Sequence, residues 1–155
     1  MVGSISFVQA TVADVPEIET LIRAAYSGYI ERIGREPAPM NADYLEPVQA
    51  GRVLLAWRGS ELLGVMVTEA HPDHLLVENL AVAPEAQGMG IGGRLLDAAE
   101  AEAVTLGLGE VRLYTNAKMT ENLSYYPRRG YREVDRRTED GFDRVYFTYV
   151  LRSTS

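Results

Sequence analysis

The sequence contains no cysteine among its 155 residues. This absence excludes a disulfide framework, a thiolate metal site and a cysteine nucleophile. Uncharged apolar runs of about 18 residues, the length of a transmembrane helix, are also missing. Residues 1–10 lack the basic and long apolar segments of a secretion signal. We therefore expect a cytoplasmic protein that does not bind membranes.

Positive charge is scarce in this chain. Lys and Arg number 15 and Asp and Glu number 22, which gives a net charge of −7. This balance argues against a nucleic-acid partner, because binding phosphates along a strand needs excess positive charge. Residues 1–108 hold 15 acidic and 6 basic side chains, whereas residues 109–155 hold 7 and 9. The acidic first part is suited either to attracting a cationic substrate or to keeping the surface solvated.

Hydrophobic residues make up 46% of the chain, which is enough for the core of one domain, and no linker interrupts them. We therefore expect a single domain over residues 1–155. Periodicity and turn residues predict strands at 5–9, 52–58, 61–70, 74–83, 110–115, 131–137 and 144–151, and helices at 14–33, 42–50, 92–106 and 120–128. The order βααβββαβαββ predicts a mixed α/β fold, with a central mixed sheet flanked by helices and a parallel strand pair in its middle.

Two local patterns predict a helix start and a turn. Asp14 is expected to accept the amides of the first helical turn, with Glu17 at the capping-box position. His71 and His74 form an H-x-x-H pair around a proline. A turn does not give this spacing the geometry that a helix gives a metal site, so we expect a hairpin turn and no metal.

The most informative segment joins a buried strand to a helix through residues 80–94. Its loop carries Gly88, Gly90, Gly92 and Gly93, which allow tight turns and close approach of the backbone to a ligand. The first amides of a helix lack internal partners and lie at the positive end of the helix dipole, which favours an anion. Arg94 stands where a first turn usually favours an acidic residue. The segment therefore predicts a phosphate or pyrophosphate site.

Two well-known phosphate motifs fit this loop poorly. Gly88, Gly90 and Gly93 match G-x-G-x-x-G, but a dinucleotide fold places that loop after its first strand and an acid at the end of the next strand. Here the loop lies in the middle of the chain, and the next strand ends in Thr115 and Asn116. A Walker motif would need a Lys-Ser/Thr pair after the glycines, and none follows.

A third pattern fits better. Gln-x-x-Gly-x-Gly at residues 87–92, preceded by Val-x-Pro-Glu at residues 82–85, resembles the GNAT superfamily of N-acetyltransferases. Further along, Tyr126-x-x-x-Gly130-Tyr131 looks like the late Tyr-x-x-x-Gly-Phe signature of that family. The predicted element order matches as well, so the resemblance covers nearly the whole chain.

The resemblance implies an enzyme that transfers an acetyl group from acetyl-CoA to a primary amine of a small molecule or protein, directly within a ternary complex. In this family acetyl-CoA binds where two parallel strands splay apart. Backbone amides of residues 87–92 are expected to hold its pyrophosphate, and the strand edge to pair with its pantetheine arm. An amide near Val82 is expected to hydrogen-bond the thioester oxygen. The residues so implied are Leu80, Ala81, Val82, Gln87, Gly88, Met89, Gly90, Ile91, Gly92, Gly93 and Arg94.

Two side chains are candidates for proton transfer. Tyr126 occupies the general-acid position of the family, and a phenol has a pKa near that of the departing thiol. Packing under the last strands is the alternative for Tyr126, and its neighbour Tyr125 is the competing phenol. Glu78 shares a strand face with Leu80 and Val82, which makes it the candidate base. An ion pair with an arginine would explain Glu78 equally well.

The remaining candidates concern the pantetheine arm and the acceptor. Asn122 is expected either to bind the pantetheine arm or to cap the helix that carries the tyrosine. The family places an asparagine seven residues before that tyrosine, where this chain has Met119. The family builds its acceptor pocket from the first helices, where the candidates are Tyr26, Tyr29 and Arg32. The two tyrosines share one helical face, for which core packing is the alternative.

These features leave three functional hypotheses. The first is an N-acetyltransferase for an amine, the second a non-catalytic acyl-CoA-binding or regulatory domain, and the third a nicotinamide-dinucleotide enzyme. Glu78 and Tyr126 favour the first, because a binding domain needs no proton-transfer groups. Dimers through the C-terminal strands are common in similar proteins, and the sequence leaves open whether this chain forms such a homodimer.

Overall fold

The computed structural model describes residues 4–151 of the chain. Within them the strands are β1 (Ile5–Gln9), β2 (Val53–Arg58), β3 (Glu61–Ala70), β4 (Leu75–Val82), β5 (Glu110–Asn116), β6 (Arg132–Glu139) and β7 (Phe142–Val150). The helices are α1 (Val15–Tyr26), α2 (Ile30–Ile33), α3 (Leu45–Gln49), α4 (Ile91–Thr105) and α5 (Thr120–Arg128). The strands hydrogen-bond in the order β1-β2-β3-β4-β5-β7-β6. The predicted mixed α/β class is confirmed, because β4 and β5 are parallel, whereas β2 pairs antiparallel with β1 and β3, and β7 pairs antiparallel with β5 and β6.

The chain divides into two compact units, of which the first comprises residues 4–68 and 79–97. In this unit β2 pairs antiparallel with both β1 and β3, and a bulge follows Ala56. Strand β3 is buried from Leu62 to Thr68, since α1 and the start of α4 are apolar on one face. The fully buried large side chains of this unit are Ile18, Ile22, Val53, Leu55, Leu63, Val65, Met66, Ile91, Leu95 and Leu96.

The second unit comprises residues 69–78 and 98–151. Residues 75–77 of β4 lie parallel to residues 111–113 of β5. β5 pairs antiparallel with β7 over its whole length, and β7 pairs antiparallel with β6. Every second residue of β5 is buried, which is the period expected for a strand with one covered face. The apolar core of this unit includes Leu75, Ala103, Val111, Leu113, Val145 and Phe147.

The helical region before β2 differs from the prediction. The single helix expected over 14–33 was wrong, because a 3-10 turn at Ser27–Tyr29 separates α1 from α2. Gly28 lies in that turn, and glycine lowers helix propensity by about 1 kcal/mol relative to alanine. The next helix is shorter than the predicted 42–50 and forms only α3. Among the residues that the structure describes, no helix is long and apolar enough to cross a membrane.

The start of α1 is organised by a threonine. The carboxylate of Asp14 accepts hydrogen bonds from the amide and the hydroxyl of Thr11, at 2.8 and 3.1 Å. These bonds close a 3-10 turn at Val12–Asp14 that leads into α1. The predicted capping by Asp14 and Glu17 was therefore wrong, because the carboxylate of Asp14 is used one turn earlier.

Candidate active site

At the C-terminal end of β4, some amide and carbonyl groups point away from β3. The amide of Ala83 donates to the carbonyl of Leu63 across 2.8 Å, so the backbone groups of Ala83 face β3. Successive residues of a strand alternate in this direction, so Ala81 also faces β3, whereas Leu80 and Val82 face the opposite side. Of the three residues predicted to pair with a pantetheine arm, Ala81 therefore offers no backbone group on that side.

The carbonyl of Leu80 has a hydrogen-bond donor on this outer side. The hydroxyl of Tyr26, the last residue of α1, donates to it across 3.2 Å. A carbonyl oxygen has two lone pairs, so Leu80 can accept a second hydrogen bond. The structure thus places Tyr26, a predicted acceptor-pocket residue, directly against the predicted strand edge.

The other predicted acceptor residues lie in the segment after α1. The guanidinium of Arg32 is 4.9 Å from the centroid of the Tyr29 ring, a cation–π contact.

Sequence reasoning missed Tyr44, whose buried hydroxyl donates to the carbonyl of Pro39 across 2.6 Å. Burial, and then the nearby Tyr26, raises the pKa of Tyr44 far above its usual value, so this hydroxyl stays protonated.

The loop after β4 uses two of its own amides. The amide of Gln87 donates to the carbonyl of Pro84 across 3.4 Å, and the amide of Met89 donates to the carbonyl of Ala86 across 3.2 Å. Both bonds close tight turns within the loop. The expectation that all the amides of residues 87–92 face a ligand is therefore too broad, because Gln87 and Met89 are engaged by the loop itself.

Five other amides are available where this loop enters α4. Within residues 4–151, no backbone carbonyl accepts a hydrogen bond from the amides of Gly88, Gly90, Ile91, Gly92 and Gly93. Two of these residues adopt left-handed backbone conformations, with φ of +88° at Gly88 and +78° at Gly90. Only glycine adopts this conformation without strain, which explains why the loop carries glycine at both positions. Together the five amides form a concentrated set of unused donors at a helix N-terminus.

Two arginines lie close to this set of amides, Arg94 in α4 beside Phe7 of β1 and Arg58 of β2 beside Met89. The guanidinium of the exposed Arg94 lies 4.6 Å from the centroid of the Phe7 ring, and the first turn of α4 contains no acidic residue. The guanidinium of Arg58 lies 3.9 Å from the Sδ atom of Met89 and forms a 2.6 Å ion pair with Glu61. Sequence reasoning missed Phe7 and Arg58, because both approach the loop from distant parts of the chain.

A glycine in β3 allows the loop and α4 to pack closely. A Cβ atom at Gly64 would lie 2.8 Å from the Cγ2 atom of Ile91 and 3.1 Å from the Cδ1 atom of Leu95. A Cβ atom at Gly92 would lie 3.6 Å from the Cγ2 atom of Val82, which is an ordinary contact. Position 64 therefore requires glycine for steric reasons, whereas position 92 has room for a methyl group.

In the second unit, Tyr126 lies within a cluster of aromatic rings. Its side chain is buried, and its ring centroid is 5.4 Å from that of Tyr125 and 5.8 Å from that of Tyr131, both edge to face. Phe147 of β7 packs against it at 5.6 Å. The ring of Tyr126 does pack against the final strands, and this packing restricts the orientation of its hydroxyl.

Glu78 lies within β4 and is half-buried. Along this strand Leu75 and Val77 are buried, whereas Leu76 and Glu78 are half-buried. The alternation places Glu78 on the less covered face of β4, as the period of a strand predicts. A half-buried carboxylate keeps contact with solvent.

Asn122 connects the start of α5 to the end of β5. Its Nδ2 atom donates to the hydroxyl oxygen of Thr115 across 2.9 Å, and lies 3.8 Å from the Sδ atom of Met119. Met119 is the residue that precedes α5, so Asn122 lies inside the helix. Of the two alternatives for Asn122, capping of this helix was therefore wrong, since its side-chain amide donates to the strand residue Thr115.

His71 and His74 flank the turn between β3 and β4. The amide of His71 donates to the carbonyl of His74 across 2.8 Å, which confirms the predicted hairpin turn. The two rings stack with centroids 4.6 Å apart, and one nitrogen of each ring lies beside a carboxylate, Nε2 of His71 beside Glu69 and Nδ1 of His74 beside Asp73. Across the described residues, no group of three His, Asp or Glu side chains is placed to hold a metal ion.

Comparison with known proteins shows to which family this chain belongs. A sequence model of the acetyltransferase (GNAT) family matches residues 15–131, which include the glycine loop, β4, α4 and α5. The chain belongs to the GNAT family. The resemblance drawn from the loop and from the late tyrosine signature is thereby confirmed.

Curated relatives of this GNAT chain carry the name mycothiol acetyltransferase. The protein from Pseudarthrobacter chlorophenolicus is 38% identical over 104 residues, which cover 63% of this chain and 32% of the relative. The protein from Arthrobacter sp. (strain FB24) is 36% identical over 104 residues, with the same shares of the two chains. The chain thus spans about a third of the length of the curated relatives it matches.

Solved structures show the same fold. The PaiA N-acetyltransferase from Thermoplasma acidophilum, in complex with coenzyme A, has a TM-score of 0.82 at 20% identity and covers 96% of this chain and 99% of its own. A GNAT family acetyltransferase from Elizabethkingia anophelis with acetyl-CoA bound has a TM-score of 0.71 at 23% identity, covering 95% and 98%. The ribosomal-protein-S18-alanine N-acetyltransferase from Escherichia coli has a TM-score of 0.72 at 16% identity, covering 98% and 97%.

The predicted GNAT site residues fall into two groups. In the first unit, Tyr26 contacts Leu80, and Gly92 lies beside Val82 at the start of the donor-rich turn. The second unit contains the three side chains with proposed polar roles, which are Glu78, Asn122 and Tyr126. Within each unit, elements far apart in the sequence position the candidate residues.

Proposed function

We propose that this GNAT-family chain is an N-acetyltransferase that moves an acetyl group from acetyl-CoA to a primary amine, directly within a ternary complex, with residues 1–155 acting as one domain. The observation that carries the proposal is the set of five available amides at the start of α4. Acetyl-CoA supplies an acetyl group activated as a thioester. Because the chain lacks cysteine, transfer through a cysteine acyl-enzyme is excluded.

The five amides form the proposed pyrophosphate site. Those of Gly88 and Gly90 lie in the turns, and those of Ile91, Gly92 and Gly93 in the first turn of α4. Their N–H groups and the positive end of the helix dipole both favour a dianionic group. The absence of acidic side chains from this turn avoids competition for the same donors. These features support binding of the diphosphate of acetyl-CoA.

The outer edge of β4 is the proposed binding strip for the pantetheine arm. Leu80 and Val82 direct their amides and carbonyls to this side, so they can pair with the amide groups of the arm as a neighbouring strand would. Asn122 adds an acceptor, because its nitrogen donates to Thr115 and its carbonyl oxygen is the group that we assign to a pantetheine N–H. The amide of Val82 is the proposed donor to the thioester oxygen, where negative charge develops during transfer.

Two residues are proposed to move protons. Tyr126 gives its phenolic proton to the departing thiolate, and its packing against three aromatic rings supports a fixed orientation for this step. Glu78, half-buried on β4, takes the proton from the attacking amine directly or through a water molecule. Only a neutral amine can attack the thioester carbon. An amine that is protonated in solution must therefore first lose a proton to a base.

The acceptor is proposed to be a cationic amine held near Tyr26, Tyr29 and Arg32. The excess of acidic residues before residue 109 supports attraction of such a molecule. Tyr26 supports the position, since its hydroxyl already lies on the strand edge at Leu80. The match covers only 32% of the length of the mycothiol acetyltransferases, so the substrate that their name implies is one candidate to be tested and not an assignment.

Release of thiol from acetyl-CoA tests the proposed reaction. Polyamines, amino acids, aminoglycosides and peptide N-termini are screened as acceptors with the full chain. We expect turnover with at least one amine, and a loss of kcat of about a hundredfold in Tyr126→Phe. Tyr125→Phe is the matched control and should keep most of the activity. Full activity of Tyr126→Phe would refute the acid assignment, and coenzyme A binding by calorimetry without turnover would favour a non-catalytic binding domain.

We also propose a homodimer through the last two strands. Strand β6 lies at one end of the strand order and exposes nearly all of its residues, with Val134 57% exposed. An exposed edge strand with an apolar side chain supports pairing with a second chain. Light scattering after size exclusion measures the mass, and a monomer at high concentration would contradict this proposal.

A further inference from the structure

One carboxylate oxygen in α4 accepts two hydrogen bonds from the segment that follows α5. The Oε2 atom of Glu100 lies 2.9 Å from the hydroxyl of Tyr131 and 3.2 Å from the Nη2 atom of Arg129. The side chains of Glu100 and Arg129 are only 19% and 24% exposed. Hydrogen bonds to a charged group are stronger than neutral ones, and partial burial limits their screening by solvent.

The same segment is tied to the backbone of Tyr126. The amides of Arg129 and Tyr131 both donate to the carbonyl of Tyr126, each across 3.0 Å. Gly130, between them, has φ of +95°, and a Cβ atom there would lie 3.2 Å from the ring of Tyr149. The turn after α5 is therefore closed in one conformation, and Tyr131 returns beside Tyr126.

The two rings then meet edge to face. The ring centroids of Tyr126 and Tyr131 are 5.8 Å apart, with 62° between their planes. Burial raises the pKa of Tyr131 far above its usual range, so its hydroxyl remains a donor to Glu100. A phenol held at its hydroxyl by a carboxylate and at its backbone by the turn has little rotational freedom. The ring of Tyr131 therefore restricts the position of the neighbouring Tyr126 ring.

We propose that Glu100 is a positioning residue that orients the phenol of Tyr126 through Tyr131 and Arg129. This inference rests on the proposed function, in which Tyr126 gives its proton to the departing thiolate. A proton donor must lie within hydrogen-bond reach of its acceptor, so a small displacement of the ring lowers the rate of transfer. Glu100 lies in α4 and has no proposed contact with acetyl-CoA or the amine, so it acts only through its neighbours.

Glu100→Gln isolates the role of the charge. Glutamine keeps an acceptor oxygen for Tyr131 and removes the carboxylate that holds Arg129. We expect kcat to fall about ten- to a hundredfold, with the KM for acetyl-CoA unchanged. Glu102→Gln, an exposed position in the same helix, is the matched control and should leave both parameters unchanged. If Glu100→Gln keeps kcat within about twofold of the original, the proposal is overturned.

A double-mutant cycle separates this inference from the proposed function. If Glu100 acts through Tyr126, Glu100→Gln causes no further loss of kcat when Tyr126 is already phenylalanine. An equal loss in both backgrounds would overturn the positioning role while leaving the acid role of Tyr126 intact. Full activity of Tyr126→Phe alone would instead refute the acid role.

Near-ultraviolet circular dichroism tests the orientation without any acceptor. The coupled tyrosine rings give a signal that depends on their mutual geometry, whereas far-ultraviolet spectra report the backbone. We expect Glu100→Gln and Tyr126→Phe to alter the same tyrosine band, with unchanged far-ultraviolet spectra. An unaltered near-ultraviolet spectrum in Glu100→Gln would show that Tyr126 keeps its orientation, and the proposal would fail.

Discussion

The hydroxyl of Tyr26 donates a hydrogen bond to the backbone carbonyl of Leu80 across 3.2 Å, which ties the last residue of α1 to the outer edge of β4. The two residues are 54 positions apart in the sequence. The contact joins the helix that carries the proposed acceptor residues to the strand that is proposed to bind the pantetheine arm. Under the proposed function, Tyr26 would lie where the amine approaches the thioester.

Tyr26→Phe should weaken acceptor binding while keeping the fold. The substitution removes one partly buried hydrogen bond, so we expect the free energy of unfolding to fall by about 1 kcal/mol. In steady-state kinetics, the KM for the amine should rise about three- to tenfold and the KM for acetyl-CoA should stay nearly constant. Tyr125→Phe is the control, because Tyr125 packs against Tyr126 and is not among the proposed acceptor residues. Equal effects of both substitutions on the amine would contradict the special role of Tyr26.

Gly90→Ala should impair acetyl-CoA binding, whereas Gly92→Ala should be tolerated. Alanine at position 90 must adopt φ near +78°, which costs about 1–2 kcal/mol or forces the turn to change. Either outcome displaces the amides that are proposed to hold the pyrophosphate. At position 92 the new methyl group meets Val82 at an ordinary distance of 3.6 Å. Calorimetric titration with coenzyme A should show a Kd that rises about tenfold for the first variant only.

A reversed order of the two affinities would indicate that the space beside Val82, and not the conformation of Gly90, controls binding. Urea unfolding of both variants gives the necessary control. Loss of affinity without loss of stability would assign the effect to the loop itself.

Gly64→Ala should destabilise the first unit. Its methyl group would lie 2.8 Å from the side chain of Ile91 and 3.1 Å from that of Leu95, so α4 must shift away from β3. Overpacking of this kind costs about 1–3 kcal/mol, which a shift of the urea midpoint measures. Gly109→Ala is the matched control, since no atom lies within 4 Å of its added methyl group. Equal stability of the two variants would show that α4 can move without cost.

Acid should weaken the second unit through its surface carboxylates. A hydrogen bond from His74 lowers the pKa of Asp73, and one from Arg137 lowers the pKa of Asp135. Because both pKa values are lower in the folded state, the stabilisation is present above the ordinary value of 3.8 and is lost as the pH falls through the folded value. The thermal midpoint should therefore drop between about pH 5 and about pH 3.

Salt distinguishes this effect from general acid unfolding. Both carboxylates are at the surface, so high ionic strength should flatten the pH dependence by screening the ion pairs. Arg137→Gln should reduce the slope, and the same change at the exposed Arg128 should not. A slope that is unchanged by salt and by Arg137→Gln would assign the acid sensitivity to other groups.

The sequence predicted the regular elements well wherever the pattern is local. The bounds of β1, β3 and α5 agree with the prediction, because alternating or helical hydrophobic spacing and adjacent turn residues define them. The prediction failed between residues 14 and 33. There the helix breaks at Ser27–Tyr29, and Asp14 binds Thr11 instead of the helix that follows. The helix breaks because Gly28 has a low helix propensity. Asp14 does not cap α1 because its carboxylate accepts a hydrogen bond from the amide of Thr11.

Some features of the candidate site were also predictable from local sequence patterns, whereas others depend on the folded structure. The glycine motif, the late tyrosine signature and the order of the elements were sufficient in the sequence to indicate the GNAT family, since each can be recognised from local patterns along the chain. The sequence could not specify which loop amides remain available. Gln87 and Met89 use theirs in turns whose acceptors depend on the folded path of the loop.

By itself, then, the sequence determined the fold class, the family and the position of the donor-rich turn, because spacing along one segment sets backbone conformation. Only the tertiary structure decided that Tyr26 meets Leu80, that Asn122 reaches Thr115 and that Glu100 holds Tyr131. The physical reason is that each of these contacts joins two different elements. Their side chains meet only after packing has fixed the distance and direction between those elements.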